Sequence, residues 1–371
     1  MAASKHRPPE LPRLRAGVGD PAAAAVEAFS DEDHRRATGL FTLLAPGADR
    51  AALPAIEPAK LRDLYRTMLC VRAVDHAIEA LAKEERIGPV PGRRGTEAAV
   101  VGAAAALGPD DVIAPGRREA GAALHRGVPV RALLAQLLGN ANDLAAGRGV
   151  PGYPVFPRAL NVLPASAHAA TQLPHATGVA WAMKMKRTPH VALAFLDAAE
   201  TSAEDFHSGL NFAGVYRVPA IFVCINDQAL APAAAPESVA ETFAVKALAY
   251  GVAGVRVDGG DVFALLSATR AAAERARAGR GATLIEAVVT KDDGIARLRD
   301  WLAAERILDD AAEGALAAEV ERELREALAA EQKIGRPPLH KMIEDVYARP
   351  PAALEAALEA LESLRDRTVR P

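Results

Sequence analysis

The chain has 371 residues, enough to bury a full core in one large domain or two smaller ones. Hydrophobic residues make up 50%, charged residues 25%, and the formal net charge is −3. This is the composition of an ordinary soluble protein, and it lacks the basic excess that a nucleic-acid partner calls for. The two cysteines, Cys70 and Cys224, both lie inside apolar runs. They are expected as small core residues in a reducing compartment, not as a disulfide or a metal pair. No apolar run is long enough to span a membrane, and the first residues lack the apolar segment of a secretory signal. The expectation is a cytoplasmic protein with no membrane and no nucleic-acid partner.

Residues 1–36 are polar and proline-containing, and are expected as a flexible N-terminal arm. The stretch from Gly39 to Pro58 accommodates a short strand and a turn. A long helix is predicted over 59–86, with Leu61, Leu64, Tyr65, Met68, Val71, Ile78 and Leu81 near helical spacing. A Gly/Pro loop and a small-residue helix follow, the alanines permitting close helix packing. The next segment carries Arg117 and Arg118, two guanidinium groups suited to phosphate oxygens or, equally, to a solvated helix start. Residues 140–175 are Gly/Pro-rich and then turn helical; His168 and His175 there could be read as catalytic, although each taken alone is more often a helix-flank histidine with local partners.

Residues 191–229 organise the rest. Val191 to Leu196 is a buried-strand run, a helix follows with Phe206, Leu210, Ala213 and Gly214 on one face, and Ala220 to Ile225 is a second strand. This is a parallel βαβ unit. Asp197 ends the first strand and Asp227 follows the second, at the carboxyl edge where open parallel sheets bind ligands. Thr201 or Ser202 could cap the intervening helix and aim its amides at an anion. The residues alone describe a place for a metal ion with a phosphorylated cofactor, although Asp also commonly ends strands and starts turns. Helices over 237–250 and 261–278, with strands over 252–257 and 282–289, continue an alternation that favours a doubly wound sheet. The segment EVERELREALAAEQK is a charged, half-exposed helix.

The central unit resembles the thiamine-diphosphate motif of the alpha subunits of 2-oxo acid dehydrogenases, the decarboxylating first component of those complexes. The likeness is close in DFHSGLNFAGVYRVPAIFVC and extends to LRDLYRTMLCVRAVDHAIEAL, ATQLP and the DVYARPP ending, covering about residues 36–360. It is nearer the branched-chain type by the segment before the long helix. The resemblance implies a thiamine-diphosphate-type α/β domain over 37–335, doubly wound and mostly parallel, with a C-terminal helical tail over 336–371. It implies thiamine diphosphate and Mg²⁺ as cofactors, with Asp197, Asp227 and the carbonyl of Ala229 on the metal. Arg117, Arg118, Ala198 and Ala199 fall at cofactor-binding positions. No catalytic side chain is assigned to this chain, because the family's beta subunit supplies the activating Glu. The implied partners are that beta subunit, in an assembly of two alpha and two beta chains, and the lipoyl acyltransferase core.

The chain also departs from the family's pattern. Family glycines are replaced by Leu196 and Ala198, the expected Tyr by Arg117, the second motif Asn by Asp227, and a polar residue by Ile225. A Ser-Pro-Leu segment reads Ala167, His168, Ala169, and the family's histidine-bearing loop after the last strand is expected to be deleted. Leu196 is expected to intrude on the cofactor site. The exchange at positions 117 and 227 is expected to be compensatory, added positive charge offsetting added negative charge. These departures support a second reading, a non-catalytic homologue acting as a structural or regulatory partner, and a third, binding of some other anion at Arg117 and Arg118.

Overall fold

A computed structural model describes residues 30–44, 53–88, 90, 92, 94–150, 152–228, 238–344 and 346–368. Helix α1 (Asp31–Thr38) comes first, opened by a capping box between Ser30 and Asp33. The expected arm over 1–36 is therefore corrected at its end: residues 31–36 are helical, and the adjacent Ala37 is fully buried, its carbonyl accepting from the Thr242 hydroxyl at 2.8 Å. Residues 1–29 lie outside the described residues.

Strand β1 (Leu40–Phe41) precedes the long helix α2 (Pro58–Lys83), which has Pro at its start, where a missing N–H costs nothing. Helix α3 (Glu97–Ala105) is buried along almost its whole length. A Cβ on Gly102 would stand 2.7 Å from the Val262 carbonyl, so the small residues here are what allow the close approach. Strand β2 (Val112–Ala114), helices α4 (Ala120–His125), α5 (Val130–Leu138) and α6 (Gln172–Lys186) lead to the central unit. That unit is β3 (Ala192–Asp197), α7 (Glu204–Tyr216) and β4 (Ala220–Asp227). Then come β5 (Ala253–Asp258), α8 (Val262–Arg277), β6 (Thr283–Val289), α9 (Gly294–Ala304) and α10 (Asp310–Glu331). The short α11 (Lys341–Glu344) and the largely exposed α12 (Ala352–Thr368) form the helical tail.

The six strands lie in the order β1-β5-β6-β4-β3-β2, and every pairing is parallel. Side chains alternate across this sheet. Leu193, Phe195, Val223, Ile225 and Ile285 pack with Tyr65, Val100, Phe263 and Leu298 on one face. Ala194, Leu196, Phe222, Cys224 and Leu284 pack with Leu173, Phe206 and Leu210 of α6 and α7 on the other. Both faces are covered by helices, as a doubly wound parallel sheet requires. Helix α10 lies beyond the first layer, where Val320, Leu324 and Ala327 pack with Val74, Ile78 and Leu134 of α2 and α5.

The helix expected over 237–250 is instead a 3-10 segment, Ala244–Tyr250. The approach of the chain is tightest here: a Cβ on Gly214 of α7 would lie 1.8 Å from the Tyr250 carbonyl. Both cysteines are free and buried, as expected. Burial pushes the Cys70 thiol up to about 11 and Cys224 well above its ordinary value. Among the described residues, no helix is long and apolar enough to cross a membrane.

Candidate functional site at the carboxyl edge of the sheet

The strand register decides what reaches the carboxyl edge. Asp197 pairs across to Ile225, two positions before Asp227, so both aspartates project on the same face of the sheet. The loop between β2 and α4 carries Arg117 and Arg118 to this edge, because β2 pairs directly with β3. Four of the expected site residues thus come together: Arg117, Arg118, Asp197 and Asp227.

Their arrangement is an ion cluster built around Arg118. Its Nη2 donates to Asp227 Oδ2 at 2.7 Å, its Nη1 to Asp197 Oδ1 at 3.3 Å, and its Nε to the Gly92 carbonyl at 2.7 Å. Arg118 is only 6% exposed. Burial works against its charge, but the hydrogen bond with Asp227 and the Asp197 charge outweigh burial and hold the guanidinium protonated. Arg117 approaches Asp197 Oδ2 at 3.4 Å from the exposed side. Arg118 thereby links the ends of two strands to Gly92.

Two glutamates passed over in the sequence complete the surroundings. Glu119 is 1% exposed and accepts from the Arg118 amide at 3.2 Å. Burial, with the Asp197 charge adding to it, pushes its carboxyl up to about 8. Glu200 accepts from the Asp197 amide and the Ala170 amide, each at 2.8 Å, and from Gln172 Nε2 at 3.2 Å. Burial raises its pKa as well. Glu119 stands directly beside the two arginines in the sequence, and that position was the available signal. Glu200 had none, since its role depends on where α6 begins.

The remaining expected positions fare differently. Ala198 and Ala199 open a 3-10 turn, Ala198–Ser202, and Ala229 lies outside the described residues. Neither Thr201 nor Ser202 caps the helix: α7 starts at Glu204 with Ala203 before it and no side-chain cap. Thr201 is instead buried, its hydroxyl donating to the Ala198 carbonyl at 2.7 Å and receiving Lys246 Nζ at 2.9 Å. The helix amides therefore begin beyond the turn and do not follow Asp197 directly.

Leu196 does not intrude on the site. It is fully buried in the apolar layer of α6 and α7, because strand alternation turns it away from Asp197. Ile225 likewise packs in the opposite core layer, beneath the aspartates. His168 and His175 are both exposed. The last strand leads into α9 through a four-residue connection, Thr290–Asp293, consistent with the expected deletion. It begins beside the cluster, since Val289 pairs with Asp227. Asp293 caps α9 and meets Arg72 at 2.8 and 3.0 Å, which ties the short connection to α2.

The fold matches a defined class of protein. The family described as dehydrogenase E1 component matches residues 65–291. The chain belongs to this family, which bears out the resemblance read from the central unit. Its relatives are alpha subunits. It is 32% identical to the mitochondrial 2-oxoisovalerate dehydrogenase subunit alpha 2 of Arabidopsis thaliana over 317 residues, 78% of this chain and 67% of the relative. It is 30% identical to the human mitochondrial 2-oxoisovalerate dehydrogenase subunit alpha over 334 residues, 83% of this chain and 75% of the relative. With 2-oxoisovalerate dehydrogenase subunit alpha of Bacillus subtilis it shares 36% over 230 residues, 61% of this chain and 69% of the relative.

Membership of this family implies thiamine diphosphate and a divalent metal, and the residues present do not fit them as arranged. Both carboxylates that would face the metal are taken by the guanidinium that would face the diphosphate. Among the described residues, no group of three or more His, Cys, Asp or Glu is placed to hold a metal ion.

Proposed function

We propose that this chain serves as the alpha subunit of the first component of a 2-oxo acid dehydrogenase complex. That component decarboxylates a 2-oxo acid oxidatively and passes the acyl group to a lipoyl arm. Branched-chain 2-oxo acids are the substrate class, in keeping with the 2-oxoisovalerate dehydrogenase relatives. A beta subunit is the partner, in an assembly of two alpha and two beta chains that docks on a lipoyl acyltransferase core. The observation that carries this reading is the family match over residues 65–291 together with relatives that are 2-oxoisovalerate dehydrogenase alpha subunits.

A second reading, a non-catalytic alpha-like subunit, is favoured by the same cluster viewed chemically. Arg118 already satisfies both aspartates, and the connection after β6 spans only Thr290–Asp293. Such a chain would keep its core and its protein contacts while leaving the chemistry to an intact alpha subunit.

Co-expression with a beta subunit from the same genome separates the readings. A stable complex that decarboxylates 2-oxoisovalerate when supplied with thiamine diphosphate and Mg²⁺ supports the first. A stable complex without turnover supports the second. Failure to associate with a beta or an alpha subunit contradicts both.

A further inference from the structure

We propose that Arg118 is a resident cation standing in place of a divalent metal, so that the carboxyl edge of this chain is chemically complete without Mg²⁺ or diphosphate. The proposal rests on the family reading, which makes Asp197 and Asp227 the pair that a metal would face. Three observations carry it.

The first is saturation. All three guanidinium nitrogens of Arg118 are engaged, with Gly92, Asp197 and Asp227. The second is burial: the side chains of Arg118, Asp197 and Asp227 are 6%, 13% and 7% exposed, so water is a poor replacement for any of these partners. The third is charge. Two carboxylates face two guanidinium groups, and the cluster neutralises itself.

The two occupants exclude one another by geometry. Mg²⁺ demands near-octahedral oxygen ligands at about 2.0–2.1 Å, whereas a planar guanidinium holds carboxylate oxygens near ordinary hydrogen-bond length. A metal between Asp197 and Asp227 would have to expel Arg118 from both contacts. The expelled group would also leave the Gly92 carbonyl, its third partner. Weak Mg²⁺ binding is then a property of the resting fold.

The test is a titration of Mn²⁺ into the full chain, followed by electron paramagnetic resonance of the free ion, first alone and then with thiamine diphosphate. The wild type is expected to bind no Mn²⁺ saturably through the millimolar range in either case. Arg118→Met, which removes the cation and keeps an apolar side chain, is expected to bind at least about tenfold more tightly. Adding Asp197→Ala to that variant, which removes a carboxylate the metal would need, is expected to abolish the gain.

Saturable Mn²⁺ binding by the wild type that is lost in Asp197→Asn overturns the proposal. So does a folded Arg118→Met that binds no better than the wild type. Should Arg118→Met fail to fold, thermal melting of the wild type in Mn²⁺ with thiamine diphosphate decides. An unchanged midpoint upholds the proposal, and a midpoint that climbs with cofactor concentration overturns it. Failure of the alpha-subunit reading would appear separately, as loss of association with a beta subunit, which these titrations do not measure.

Discussion

The middle of the β3–α7–β4 unit and its carboxyl ends are held together by different forces. In the middle, Leu196, Phe206, Leu210, Phe222 and Cys224 are fully buried and interlock through apolar contact, with the Lys246 ammonium over one ring at the layer's edge, 5.3 Å from the Phe206 centroid. One residue beyond Leu196, the chain changes character: Asp197, and Asp227 on the neighbouring strand, hold a nearly buried Arg118. The middle depends on volume and pattern, so volume-conserving apolar swaps there should cost little, whereas the ends depend on three particular side chains meeting. The family's scaffold survives in the first region, and in the second, on our proposal, Arg118 stands where the cofactor's metal would sit.

The sharpest way to break the comparison is to damage each region singly. Phe206→Ala is expected to cost about 3–5 kcal/mol by opening a cavity in the layer between α7 and the sheet, read as a lower urea midpoint with an unchanged slope. Arg118→Met is expected to cost a similar or slightly smaller amount, about 3–5 kcal/mol, because it strands two carboxylates with little access to water. The two losses differ in how they are repaired. Adding Asp197→Asn and Asp227→Asn to Arg118→Met should recover most of its loss, while no charge change repairs Phe206→Ala.

Gly214→Ala sharpens the role of close approach within the apolar region. Its methyl would meet the Tyr250 carbonyl at 1.8 Å, so the 3-10 segment must move, at a cost of about 1–3 kcal/mol. The urea midpoint should fall while the Arg118 contacts, at the far end of the strands, stay intact.

A smaller effect concerns pH. Burial raises the Glu119 carboxyl from 4.5 to about 8 in the folded chain. The folded state then binds more protons than the unfolded state between those values, so this group's stabilising contribution is complete below 4.5 and is lost as pH rises towards about 8. Glu119→Gln should flatten that part of the stability–pH curve and still accept the Arg118 amide. A curve with the same fall in Glu119→Gln would assign the pH dependence to another group.

Much of the first region was legible in the sequence. Unbroken apolar runs marked β3 and β4, and helical spacing marked α2, because in both cases the pattern comes from burial along one local segment. The second region was legible as a set of residues but not as an arrangement. Arg118 lies 79 positions from Asp197 and 109 from Asp227, and only the pairing of β2 with β3 brings its loop to them. The expected offset of charge between Arg117, Arg118 and Asp227 is present as direct contact for Arg118, and Arg117 reaches Asp197 instead.

The errors have local causes. Leu196 was expected in the site because it neighbours Asp197 in sequence, yet alternation along a strand sends neighbours to opposite faces. Thr201 was expected as a cap because the helix was assumed to follow the strand at once; the 3-10 turn displaces its start to Glu204. The helix expected over 237–250 became a 3-10 segment held against α7 by Gly214, a tertiary contact that local spacing does not encode.

The most direct measurement of the central claim is a crystal structure of the full chain grown with Mg²⁺ and thiamine diphosphate. The account predicts Arg118 still spanning Asp197 and Asp227, with no metal density between them. A metal ion at about 2.0–2.1 Å from both carboxylates, with Arg118 swung onto a diphosphate, would contradict it.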